Sequence, residues 1–76
     1  MKKLIVFTGS SCQSCHAYIA KLKKHGIEFR EISVDTFDGA MMAAKHHVRS
    51  LPTSVAVSGS SLPGNLPIET VIKLIK

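Results

Sequence analysis

The chain contains two cysteines, three positions apart in Cys12-Gln13-Ser14-Cys15. A bond between them closes so small a loop that it hardly constrains the unfolded chain, so a structural staple is a poor use of the pair. Small secreted domains carry several paired cysteines as a framework. A lone Cys-x-x-Cys instead signals redox or metal chemistry in a reducing compartment. The pair follows a predicted strand and opens a predicted helix, and that position supplies a mechanism. Unpaired N–H groups and the dipole at a helix start stabilise negative charge, so a Cys12 thiolate is expected below the free-thiol pKa of ~8.5. Cys15, one turn on, falls on the same side but deeper. Cys12 is then the nucleophile toward a substrate disulfide and Cys15 the thiol that resolves the mixed disulfide, leaving the pair oxidised. Two thiols and proton transfers suffice, with no cofactor and no metal.

The same thiols would suit Cu(I) or Zn(II), and heavy-metal-associated domains also place a CxxC loop after a first strand. Those domains carry Met two residues before the first cysteine, where this chain has Ser10. They also end in a strand, whereas Ile68 to Ile75 has helical spacing. A soft-metal module binding copper or zinc is the alternative reading. Cys12 to His16 also fits the haem-attachment pattern Cys-x-x-Cys-His, which belongs to exported proteins, and no export signal is read here. His16 would favour the thiolate as a cation or would be an inert helix residue, and both readings stay open. His46 and His47 are read as surface residues compatible with a helix end. Met41 and Met42 are read as core filler.

The elements that must hold the pair follow from periodicity. Leu4 to Phe7 is an apolar run suited to a strand covered on both faces, broken by Thr8 to Ser11. From about Ser14, the residues Cys15, Ile19 and Leu22 recur at helical spacing, and His25-Gly26 ends that helix. Ile27 to Val34 reads as a partly wet strand and Asp35 to Asp38 as punctuation. Phe37, Met41, Ala44 and Val48 then form the inward stripe of a second helix running to about His47, with Asp38 near its start. Val55 and Val57 alternate with small residues in a third strand, and Gly59-Ser60 turns into a very short fourth, Ser61 to Pro63. Pro67 opens a last helix whose stripe is Ile68, Val71, Ile72 and Ile75. The order is β-α-β-α-β-β-α. A right-handed crossover makes the first two strands parallel and the short turn makes the last two antiparallel. The expected architecture is an α/β mixed four-stranded sheet flanked by three helices.

With this order, the CxxC at a helix start and Val48-Arg49-Ser50-Leu51-Pro52-Thr53 before the third strand, the chain resembles the thioredoxin/glutaredoxin superfamily over nearly its whole length. The resemblance implies a thioredoxin-like fold in which Pro52 is cis and faces the CxxC, and in which Leu51 offers backbone groups to an extended substrate. Ser11, Gln13, Leu51, Pro52 and Thr53 are the substrate-binding residues it implies. Thioredoxins have Trp where Ser11 stands, Gly-Pro where Gln13-Ser14 stand, and a buried acid where Val6 stands. Proton handling of Cys15 is therefore expected from water, His16 or a backbone group. Ser58 to Gly64 lacks the Gly-Gly-Asp-like segment with which glutaredoxins hold glutathione. The tail Leu62-Pro63-Gly64-Asn65-Leu66-Pro67 is similar to minimal thioredoxin-like redox-active disulfide proteins and to the glutaredoxin-like hydrogen donors of ribonucleotide reductase. The implied activity is protein-disulfide reduction and electron transfer to such a reductase, with thioredoxin reductase or glutathione as the reductant.

A length of 76 residues, 45% of them hydrophobic, fits one domain over residues 1–76 and one small core. Met1-Lys2-Lys3 before the apolar run resembles the start of a signal peptide, but the run breaks at Thr8-Gly9, too early for that purpose. Gly9-Ser10-Ser11 before Cys12 does not suit a lipoprotein cleavage site. No stretch approaches the ~20 apolar residues of a membrane span, so a cytoplasmic monomer away from membranes is expected. The net charge of +5 is spread through the chain, densest at Lys21, Lys23 and Lys24, which read as a solvated helix end. An electrostatic docking surface for an acidic partner is the sharper reading of those lysines. Nucleic acid is not an expected partner, since Tyr18 and the three Phe make no stacking platform.

Overall fold

A computed structural model of the chain describes residues 4–76, and the Met1-Lys2-Lys3 start weighed against a signal segment lies outside them. Strand β1 spans Leu4–Thr8, a run of branched and aromatic side chains whose interior is almost wholly buried. Helix α1 spans Gln13–Lys24, β2 Arg30–Ser33, α2 Phe37–Lys45, β3 Thr53–Ala56, β4 Ser61–Pro63 and α3 Ile68–Ile75. The sheet order is β2-β1-β3-β4. β2 runs parallel to β1, with Phe7 opposite Ile32, while β3 is antiparallel to β1 and β4 to β3. This is the expected mixed sheet, and the thioredoxin-like fold is observed. Residues Ile68–Ile75, read above as helical from their spacing, form helix α3.

Alternation along β1 divides the core in two. Leu4 and Val6 pack with Tyr18 and Leu22 of α1 and Val71 of α3. Phe7 packs on the other face with Ile32, Ala43 of α2 and Val55. β1 thus lies between two apolar layers, and its C-terminal end leads into the turn before Cys12.

Five details depart from the periodicity reading. The inward face of α2 is Gly39 and Ala43, while Phe37 is 79% and Met41 57% exposed, and Ala44 is exposed as well. Small residues let the helix lie close on the sheet, so a stripe chosen by side-chain bulk selects the wrong face. Met42, not Met41, packs against the core. Val57 is 68% exposed because β3 ends at Ala56 and the Gly59 N–H closes a turn on the Ala56 carbonyl. Ile27 and Phe29 lie outside the ladder and pack on the α1/α3 layer, and Ile72 faces outward on α3.

Both long helices end in the same way. The Gly26 and Ile27 N–H groups donate to the Lys23 and Leu22 carbonyls, and those of His47 and Val48 donate to the Ala44 and Ala43 carbonyls. Gly26 takes φ +68°, and at the equivalent place His47 takes φ +57°. Lys21 is half-buried and has partners in the fold. Its Nζ donates to Asn65 Oδ1 at 2.7 Å and to the Leu66 carbonyl at 2.6 Å, tying α1 to the loop before α3.

Candidate active site

Cys12 is the N-cap of α1, in extended conformation. Its N–H donates to the Gly9 carbonyl at 3.2 Å, and its carbonyl accepts the His16 N–H at 3.4 Å, so the turn from β1 delivers its sulfur to the helix start. The Cys15 N–H donates to Cys12 Sγ at 3.1 Å, the contact a capping oxygen makes elsewhere. The Ser14 hydroxyl stands 3.5 Å from the same sulfur. No acidic residue occupies the first turn of α1. Cys12 and Cys15 are joined as a disulfide with Cα atoms 5.2 Å apart. Cys15 is 1% exposed and Cys12 half-buried, so Cys12 is the more accessible of the two and Cys15 is screened by the fold.

The second loop of the site arrives from the far side of the sheet. The Leu51–Pro52 peptide is cis, the isomer the resemblance implies, and Pro52 is fully buried. The Pro52 carbonyl accepts the Gly64 N–H at 2.7 Å, and the buried Thr53 hydroxyl donates to the Ser50 carbonyl at 2.6 Å. Leu51 precedes the β3 ladder, so its backbone lies outside the sheet. Its side chain meets the turn before the cysteines: a Cβ on Gly9 would lie 3.0 Å from Leu51 Cδ1. A glycine there permits the approach. Ser11 and Gln13 are exposed beside Cys12. An open apolar hollow of about 300 Å³, with Val34, Ala43 and Val48 on its walls, adjoins Leu51.

Polar partners steady these loops. The Ser10 N–H donates to Asp35 Oδ2 at 2.8 Å, and that bond, aided by the Ser10 and Ser33 side chains, holds the Asp35 carboxyl below its ordinary value. The exposed His16 ring has Nε2 3.4 Å from the Ser10 carbonyl. Val6 belongs to the apolar layer. Polar chemistry at the end of β1 falls to Thr8, whose buried hydroxyl donates to Glu31 Oε2 at 2.9 Å. That pair is not among the expectations above, and neither is the burial of Tyr18. The Tyr18 side chain is fully buried, and its hydroxyl stands 2.6 Å from Ser54 Oγ, with burial raising the phenol pKa. The spacing Cys15, Tyr18, Leu22 would have marked Tyr18 as inward. Among the described residues, His, Cys, Asp and Glu form no cluster of three able to hold a metal ion, and no helix is long and apolar enough to cross a membrane.

Residues 4–57 match the family model for glutaredoxin. No curated protein matches the chain in sequence. Among solved structures it is similar to the glutaredoxin-like protein NrdH-redoxin from Escherichia coli, at 28% identity over 97% of this chain and 95% of that one, with a TM-score of 0.75. It is similar as well to the thioredoxin-like protein BC3987, at 26% identity over 95% and 99% of the two chains, with a TM-score of 0.74. The glutaredoxin from Archaeoglobus fulgidus shares the fold, at 23% identity over 100% and 88% with a TM-score of 0.75.

Proposed function

This chain belongs to the glutaredoxin family, and on that footing we propose that it reduces disulfides in protein substrates, with Cys12 attacking and Cys15 resolving. Thiol–disulfide redox chemistry at a CxxC pair comes with the family. One observation carries the assignment of roles: the half-buried Cys12 sulfur caps α1 and accepts the Cys15 N–H, while the Cys15 sulfur is buried. In the reduced protein the helix start stabilises the Cys12 thiolate, by about 0.3–1 kcal/mol for a charge at a helix end. The thiolate attacks a substrate sulfur and the other substrate sulfur departs as a thiolate. Cys15 then attacks Cys12 Sγ, the second substrate thiol leaves, and the intramolecular disulfide remains.

An extended substrate segment is held beside Leu51 and Pro52, with Thr53 shaping that turn and Ser11 and Gln13 flanking the sulfur. The chain acts as one domain and as a monomer in the cytoplasm. A reductase such as ribonucleotide reductase is the proposed electron acceptor, in keeping with the likeness to NrdH-redoxin. Thioredoxin reductase with NADPH or glutathione returns the pair to dithiol, and comparing the two as donors in one disulfide-reduction assay identifies which. The same assay tests the roles: Cys12→Ser abolishes turnover, whereas Cys15→Ser accumulates a substrate disulfide on Cys12. Turnover retained by Cys12→Ser would overturn the proposal.

A further inference from the structure

A thiol must give up its proton as it attacks, and a sulfur that is only 1% exposed has little bulk water to receive it. Cys15 does, however, form part of the wall of a cavity of about 210 Å³ that is lined on other sides by Thr8, His16, Lys23 and Glu31. That volume has room for several waters at ~30 Å³ each. Glu31 reaches the cavity because β2 pairs in parallel with β1, Val6 opposite Glu31, so its side chain shares the α1 face of the sheet with Thr8. The Thr8 hydroxyl, itself buried, donates to Glu31 Oε2 at 2.9 Å and holds one oxygen of this otherwise exposed residue's carboxylate at the end of β1.

We propose that Glu31, anchored by Thr8, is the proton acceptor for Cys15 in the resolving step, an inference that rests on the two-cysteine reading above. The Cys15 sulfur bonds to Cys12 Sγ as the bond from Cys12 Sγ to the substrate sulfur breaks, and the electron pair of that bond leaves on the substrate thiolate. The Cys15 proton crosses the cavity to a Glu31 oxygen and passes on to the departing thiolate or to solvent, which restores the carboxylate. The titratable groups facing Glu31 across the cavity are Cys15, His16 and Lys23, all from α1. Asp38 and Lys45 belong to α2, which packs on the opposite face of the sheet. The His16 ring is engaged with the Ser10 carbonyl. Lys23 can supply charge but, as an ammonium, no accepting lone pair.

The experiment follows the Cys12 mixed disulfide in a single turnover of reduced protein with a disulfide-linked model peptide, acid-quenched and read by mass spectrometry across pH. In Glu31→Gln the mixed disulfide should persist about tenfold longer or more near pH 6, since a positioned base contributes ~10²–10⁴-fold. The gap should narrow as pH rises past the free-thiol value of ~8.5, since a thiol that ionises unaided needs no acceptor, and burial moves that point upward. Cys12 alkylation should be unchanged, and Thr8→Val should give a smaller defect of the same pH shape. An unchanged lifetime in Glu31→Gln, or a slowing equal at every pH, overturns the assignment. So does a His16→Gln variant that reproduces the defect while Glu31→Gln does not. A wild-type protein that forms neither mixed nor intramolecular disulfide on mixing overturns the two-cysteine reading and this inference together.

Discussion

At the scale of single residues, the Cys12 sulfur is served by backbone more than by side chains. Cys12 accepts the Cys15 N–H, and the turn that presents it is pinned through Ser10 to Asp35. The pin has a pH signature. The Ser10 N–H lowers the Asp35 pKa below the ordinary 3.8, with smaller help from the Ser10 and Ser33 side chains. A carboxyl depressed on folding contributes stability that is fully present above its unfolded pKa and is lost as pH falls through its lower folded pKa. An NMR titration should therefore place the Asp35 midpoint under 3.8, with the Ser10 amide shift following the same curve. A midpoint at or above that value would show the pin absent in solution. The chemistry-bearing cysteines were legible from spacing alone. The Ser10–Asp35 and Thr8–Glu31 pairs were not, because each joins residues more than twenty positions apart, and only the parallel pairing of β1 and β2 brings them together.

At the scale of elements, α2 shows how a helix may be right in place and wrong in rotation. Its N-cap is Thr36, whose hydroxyl accepts the Gly39 N–H at 3.0 Å, and Asp38 lies in the first turn, near the start as expected. Bulk suggested Phe37 and Met41 as the inward pair, but closeness to β2 selects Gly39: a Cβ there would overlap the Ser33 carbonyl oxygen. Gly39→Ala should cost about 1–3 kcal/mol in denaturant melts, the range for overpacking. His47 stands in the left-handed region that Gly26 occupies at the end of α1. That conformation costs a non-glycine ~1–2 kcal/mol and glycine's extra freedom when unfolded offsets part of the relief, so His47→Gly should stabilise by up to ~1 kcal/mol. Loss of stability in His47→Gly, or an indifferent Gly39→Ala, would contradict this account of α2. The end of α1 was legible in advance because His25-Gly26 advertises it, and the end of α2 was legible only approximately because a histidine does a glycine's work.

At the scale of the whole molecule, a chain of this length has a stability of about 4–11 kcal/mol to divide between two thin apolar layers. The layer under α1 and α3 holds Leu22 fully buried, whereas Phe37 projects from α2 into solvent. Leu22→Ala should cost about 2–5 kcal/mol, enough to bring the fold near its limit. Phe37→Ser should stay within ~0.5 kcal/mol. A large loss from Phe37→Ser would mean that α2 buries its bulky side after all. The mixed sheet and element order were readable because the strand β1 and the Gly-marked turns are local signals. Which faces the helices bury depended on how closely each lies to the sheet, a property of the assembled whole. All of this holds one arrangement in place, an accessible sulfur at a helix start with a screened sulfur behind it. Its most direct test is the alkylation rate of each cysteine in the reduced protein at neutral pH, read by peptide mass mapping. Cys12 should react first, with a pH midpoint below ~8.5. Faster labelling of Cys15 would contradict the account.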